Sequence, residues 1–408
     1  MNKNDELRNI TLCKLHITFS EPLLWGPILI LAIQKLGHMT LPEIYYMESV
    51  VVIILIALDI PAGALADMIG KKKLIIIGQA FLIMSFIGFM TMDSPCMVWG
   101  ANILWAIGAS LQGGADTALF YDTLKEAGRE SEFKKIQGKA LGKRFVLIGL
   151  TSLCVGPLAS IDLRLPLYIS LPFLFIPFFS SMFLKEPIHT RSYSMKEQAT
   201  ILTHGMKFIF RSKEICFILM LSILVGCASK LWFFTYNPYF EVVGVDLNTY
   251  GFIFFLLNMG AWVSSHYAHQ IEQSLKEKTC IILIIICIGI PILMMGIFPI
   301  SGMAYVVIVA SLVRGFMGPF ISDYLNRYAN PRIRTTILSA ESTAVALSTV
   351  IAFALFGVVL QKFGVILSLI ILGSSTLLLG ALLYLHYLKR FSSQKEPVQY
   401  FLKEGDTE

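Results

Sequence analysis

Charge is what this chain has least of. Only 15% of its 408 residues are Asp, Glu, Lys or Arg, where a soluble chain carries about 25%. Cysteine is present but scattered. The seven cysteines show no metal-binding or redox spacing, so no metal site and no disulfide is expected. The N-terminus, "MNKNDELRNITLCK", is polar, and no small-residue cleavage site follows a short apolar core. No removable leader is therefore expected, and the first apolar run serves as its own insertion signal. There is no His-Glu-x-x-His, no nucleophile elbow and no phosphate-cradling Walker loop, which argues against an intramembrane enzyme, a bound cofactor and the use of ATP.

What fills the chain instead is apolar sequence, 56% of it, gathered in runs of about 20 residues. That is the length that crosses a bilayer core of about 30 Å. Twelve spans are read at 11–34, 42–66, 73–92, 97–122, 142–161, 165–184, 215–238, 249–271, 280–298, 302–326, 336–360 and 365–387. The fold class is an all-α membrane protein of two six-helix pseudo-repeat bundles. A barrel is excluded, because barrel strands alternate and these runs do not. With the N-terminus, the C-terminus and every even-to-odd loop placed inside, 28 of the 33 lysines and arginines face the cytoplasm. Lys35, Arg164 and Lys362 face out, and Lys230 and Arg314 lie within spans. Both termini are thus expected in the cytoplasm, with the bilayer as partner. The net charge of +6 then belongs to topology and not to nucleic acid.

The longest hydrophilic stretch, 185–214, divides the chain into an N-terminal bundle (1–184), a cytoplasmic linker (185–214), a C-terminal bundle (215–390) and a tail (391–408). Within the linker Met195, Ala199, Leu202, Met206 and Ile209 fall on one face of an expected interfacial helix. The halves echo each other. The fourth span ends in "GGADTALFYDTLKEAG" and the tenth in "GFMGPFISDYLNRYAN". "GALADMIGKKKL" (63–74), between spans 2 and 3, has a worn counterpart after span 8 in "SSHYAHQIEQSLKEKTC". Repeats of this kind mark transporter folds that hold a substrate near the midplane.

Gly63, Leu65, Asp67, Gly70, Lys71 and Lys72 stand at the offsets of the loop signature of the major facilitator superfamily, with Met68 in place of the usual arginine. Positive-inside topology explains the lysines but not this Gly–Asp–Gly frame. The chain resembles that family over its whole length. "LDIPAGALAD", "GGADTALFYD" and "YNPYFEVVG" resemble a bacterial branch of drug/proton antiporters, which usually has Glu where Asp59 stands. The resemblance implies secondary active transport of a small molecule by alternating access, with proton-coupled efflux expected, and a monomer. It makes Gly63, Asp67, Gly70, Lys71, Asp122, Arg129 and Arg334 a cytoplasmic latch between the halves. It also makes spans 1, 4, 7 and 10 the cavity lining and 3, 6, 9 and 12 outer supports. The interiors of those four supports contain no Asp, Glu, Lys or Arg, a partition not used in choosing the spans.

Charges inside spans are costly and mark function or pairing. Glu21, Asp116 and Glu341 are the proton-coupling candidates, each with a structural alternative: a salt bridge to Lys230 or Arg314 for Glu21 and Asp116, a helix-dipole contact for Glu341. Asp59 is read as a structural acid. Lys230, Trp232, Phe233, Tyr236 and Arg314 are candidates for the substrate cavity, the aromatics serving alternatively as an interfacial belt. "GPLAS" (156–160) only partly matches an antiporter motif, since Ala159 and Ser160 replace two glycines. Lone His16 and His266 can relay protons or simply be satisfied by hydrogen bonds. Uptake of a nutrient or siderophore, and a sensor that kept the fold but lost transport, remain alternatives.

Overall fold

The computed structural model describes residues 3–186, 212–328 and 334–391. The expected linker helix at 195–209 and the tail beyond 391 lie outside the described residues. The described chain is helical throughout, with short 3-10 turns and no strand. In order, the helices are α1 (Lys3–Phe19), α2 (Leu29–Leu36), α3 (Leu41–Ile69), α4 (Lys71–Met90), α5 (Pro95–Gln112), α6 (Ala115–Glu126), α7 (Phe133–Ser152), α8 (Val155–Ile161) and α9 (Leu165–Met182). After the linker come α10 (Lys213–Val242), α11 (Leu247–His266), α12 (Ala268–Ile297), α13 (Val307–Tyr328) and α14 (Arg334–Phe391). Among the described residues, seven helical segments are long and apolar enough to cross a membrane, or eight if the pair 130–152 and 155–161, bent by 43°, is one span.

Three expected spans are not continuous rods. The first, read as 11–34, stops at Phe19 and resumes through a 3-10 turn at Gly26–Ile28 into α2. Pro22 lacks an N–H and drives the preceding Glu21 out of helical geometry, and Pro27 is a second such point. The freed backbone groups are taken up locally: Thr151 Oγ1 donates to the Leu23 carbonyl at 3.0 Å, and the Leu24 N–H donates to Ser170 Oγ at 3.1 Å. The fourth, read as 97–122, breaks at Gly113–Gly114, where Gly114 has φ 78°, a value that residues with a Cβ rarely adopt. The fifth begins at Phe133, nine residues before the expected 142, and bends between Ser152 and Val155 ahead of Pro157. Spans 11 and 12 join with almost no loop, through Gly364 at φ 69° inside α14.

The chain divides into two compact units, 1–195 with 240–259, and 196–239 with 260–408. In the first unit a buried apolar cluster of Ile10, Ile17, Leu74, Ile75, Leu119 and Phe120, among others, joins α1, α4 and α6. Gly78 of α4 and Gly108 of α5 bring two backbones together. A Cβ on either would stand 2.9 or 2.8 Å from the other's carbonyl oxygen, the close approach small residues allow between membrane helices. In the second unit α12 and the last part of α14 meet the same way. A Cβ on Gly296 would lie 2.5 Å from Ile370, and one on Gly373 2.5 Å from the backbone of Leu293.

Candidate functional site

The break in the first span places Glu21 in a non-helical stretch, with its side chain 57% exposed. Its partner is Arg144, from the interior of α7, whose Nη1 lies 3.3 Å from Glu21 Oε1 and donates to Ser20 Oγ at 2.9 Å. Arg144 is only 19% exposed, and its Nε is buried without an acceptor among the described residues. The reading from sequence weighed Lys230 and Arg314 for Glu21 and did not consider Arg144. The signal for Arg144 was weak, because it stands at the edge of the fifth expected span and closes a run of basic residues counted as cytoplasmic.

Asp116 lies in the first turn of α6, where its Oδ1 accepts the Thr117 N–H at 2.5 Å. It lines a small cavity with Cys13 and His16. Asp59 is exposed on α3, with no ion-pair partner among the described residues.

At the turn between α3 and α4, Gly63 and Asp67 occupy the last turns of α3, and Gly70 reverses the chain at φ 96°. Lys71 forms an ion pair with Asp122 of α6, both side chains 13% exposed. Arg129 turns instead to Glu132, with bonds of 3.0 and 2.8 Å. The two ends of the Asp122–Arg129 spacing therefore serve different partners. Sequence reasoning missed Glu186. Its two carboxylate oxygens accept the N–H groups of Lys71 and Lys72, each at 2.8 Å. A helix start leaves several N–H groups unmet and carries partial positive charge, so a carboxylate is the natural cap. The only hint was an acid two residues past the end of the sixth expected span, in what reads as linker.

In the second unit, Trp232 and Tyr236 of α10 are each 2% exposed, so they are interior residues and not an interfacial belt. Phe233 meets Tyr236 edge-on at 5.5 Å between centroids. The Arg314 guanidinium of α13 lies 5.9 Å from the Phe233 ring centroid, within cation–π range. Trp232 Nε1 is buried without an acceptor among the described residues. Lys230 is exposed on α10. Glu341 is half-buried two turns into α14, beyond the first turn where a helix dipole acts. Arg334 is the first residue of α14.

The arrangement offers ion pairs, aromatic faces and backbone caps, with no group of three or more metal-ligating side chains among the described residues. A family model described as the Major Facilitator Superfamily matches residues 18–352. An uncharacterised MFS-type transporter of Bacillus subtilis (strain 168), YxaM, is 23% identical over 336 residues, covering 79% of this chain and 82% of the relative. Among solved structures the nucleoside transporter NupG superposes with a TM-score of 0.75 at 14% identity, covering 95% of this chain and 99% of that one. A D-xylose–proton symporter gives 0.66 at 14%, covering 93% and 96%. At such identities the likeness is one of fold.

Proposed function

We propose that this chain, which belongs to the Major Facilitator Superfamily and is therefore an integral membrane transporter and not an enzyme, exchanges a small cationic solute for a proton across the bacterial cytoplasmic membrane. The observation that carries this reading is the pair Glu21–Arg144. Its acid is the open member, 57% exposed, and its arginine the sheltered one at 19%. The pair sits at a break in a spanning helix, where transporters place coupling groups. A proton and a solute cation compete for the same carboxylate. Each is released by the other, which is the linkage exchange requires. Asp116 and Glu341 are the further proton candidates. The arginine that remains keeps the emptied site from carrying a lone negative charge.

A second reading, uptake together with a proton, would have an anionic or hydroxyl-bearing solute take Arg144 once Glu21 is protonated. The buried Arg144 Nε is less open to solute than Glu21, which favours exchange. Purified protein in proteoliposomes separates the two. Exchange predicts proton release from the detergent-solubilised protein on adding a lipophilic cation such as ethidium, and cation flux driven by a pH gradient. Glu21→Gln should abolish both. Proton uptake on solute binding would replace exchange with the second reading. Gradient-driven cation flux in Glu21→Gln would remove Glu21 from either.

A further inference from the structure

The first unit holds a polar cluster that the exchange reading does not use. His16 of α1 is 3% exposed, Gln112 at the end of α5 is 6% exposed and Ser181 of α9 is fully buried. Gln112 Nε2 lies 2.8 Å from His16 Nε2. An amide nitrogen can only donate, so the ring nitrogen facing it must carry the lone pair. The ring hydrogen is then on Nδ1, which lies 3.0 Å from Ser181 Oγ and 3.4 Å from the Pro177 carbonyl. Ser181 Oγ in turn donates to that carbonyl at 2.6 Å. One atom of the cluster has nothing to do: Gln112 Oε1 is buried and accepts no hydrogen bond among the described residues. An idle buried acceptor is costly and calls for a physical reason.

We propose that His16 and Gln112 form a proton-binding site of their own, in which loading a proton on His16 Nε2 is matched by rotation of the Gln112 amide. In the unloaded form Gln112 Nε2–H donates to the ring. In the loaded form the amide turns, Nε2–H of the imidazolium donates to Gln112 Oε1, and the Nδ1–Ser181–Pro177 chain stays as it is. The idle oxygen is the acceptor kept for the second state.

The charge has a counterpart in the same cavity. Asp116 of α6 lines it together with His16, Cys13, Ile75 and Leu119. Around His16, α9 supplies Ser181 and Pro177, α5 supplies Gln112 and α4 supplies Ile75. The thiol of Cys13 and the carboxylate of Asp116 are the titratable groups lining the cavity. Arg144 of α7, one turn further along the first span, is held by Ser20 and Glu21. Loading the site adds a positive charge to the cavity that the Asp116 carboxyl lines, so the packing of α1 against α5, α6 and α9 becomes sensitive to pH. The site does not depend on Glu21; it shares Asp116 with the exchange reading, and the Glu21→Gln and Gln112→Met arms tell the two apart.

The test is nitrogen NMR of the full-length protein in lipid nanodiscs with 15N-labelled histidine. There are seven histidines, and the signals lost in His16→Gln are those of His16. If that variant does not accumulate, single replacement of the other six makes the assignment by elimination. The expected result is a neutral ring protonated on Nδ1 at high pH and an imidazolium on acidification. Gln112→Met and Asp116→Asn should each weaken proton binding at His16 at least tenfold. Gln112→Glu, which keeps an acceptor of the same size, should tighten it, and Glu21→Gln should leave it unchanged. A His16 signal that does not titrate, a neutral ring protonated on Nε2, or a midpoint indifferent to both Gln112→Met and Asp116→Asn would overturn the proposal.

Discussion

Gly70 and Lys276 hold the chain in closely similar conformations, φ 96° with ψ 142° and φ 60° with ψ 155°. Each occurs where the chain passes into a long membrane helix, Gly70 at the head of α4 and Lys276 within α12 after its first two turns. The worn second copy of the loop motif has lost its glycine, yet it keeps the backbone bend that the glycine served. The repeat is thus better preserved in conformation than in sequence.

A lysine in that conformation is strained by about 1–3 kcal/mol, because its Cβ crowds the neighbouring backbone. Lys276→Gly should therefore raise thermal stability, by about 1 kcal/mol after the added freedom of the unfolded chain is subtracted. Gly70→Ala should lower it by a similar amount. Thermal unfolding in detergent checks both. A lowered midpoint for Lys276→Gly would mean that the lysine side chain holds contacts worth more than the strain.

Glu186→Gln should weaken the start of α4, since a neutral amide caps two N–H groups less well than a carboxylate. The expected cost is about 1 kcal/mol, read as a lower unfolding midpoint. Glu186→Asp keeps the charge but shortens the reach, and should fall between the two. Equal stability for all three would show that water caps α4 as well as Glu186 does.

Asp67→Asn should cripple transport while insertion and yield stay close to normal. The motive is the Gly63–Asp67–Gly70 frame, which the lysines' topological role does not explain. Solute flux per milligram of reconstituted protein is the measurement, and undiminished flux counts against a latch at this turn.

Glu21→Gln leaves the sheltered Arg144 without its counter-charge and should destabilise the protein, while Arg144→Met leaves a carboxylate that water reaches and should cost less. The double variant should recover much of the loss. A coupling free energy near zero in this cycle would make the pair incidental. Separately, Asp116→Asn should lose gradient-driven accumulation if Asp116 shares the coupling, while solute binding persists.

Both chain ends are expected in the cytoplasm, as the distribution of 28 of 33 basic residues requires. A single cysteine placed at position 400 should stay unlabelled by a membrane-impermeant thiol reagent in intact cells and react once the cells are opened. Labelling from outside would invert the topology.

The architecture was legible because membrane insertion writes itself in long apolar runs, and the motif between spans 2 and 3 carried the family. What escaped was how those runs break. Ser20-Glu21-Pro22 was on the page, but hydropathy averages over the Pro22 break and reports one span. Glu21 was recognised as costly inside a membrane, yet its partner was not, because Arg144 sits at the edge of a span and closes a basic run that topology alone explains. Glu186 sits in an acid–proline dipeptide at the end of a span, and nothing in the sequence says that its carboxylate reaches back to Lys71 and Lys72. Pairings over more than a hundred residues are set by helix packing, which local pattern does not encode. Trp232 and Tyr236 illustrate the same limit: an aromatic cluster near a helix end reads alike whether it meets lipid or fills an interior.

The glycine contacts between α12 and the last part of α14 have a mechanical consequence. Where backbones touch, no layer of flexible side chains remains to absorb shear, and a shift of a fraction of a residue meets steric resistance at Leu293, Ile370 and Leu377. The two helices therefore behave as a single plank. Sliding one against the other would first have to part these contacts, whereas the first, fourth and fifth expected spans are interrupted along their length.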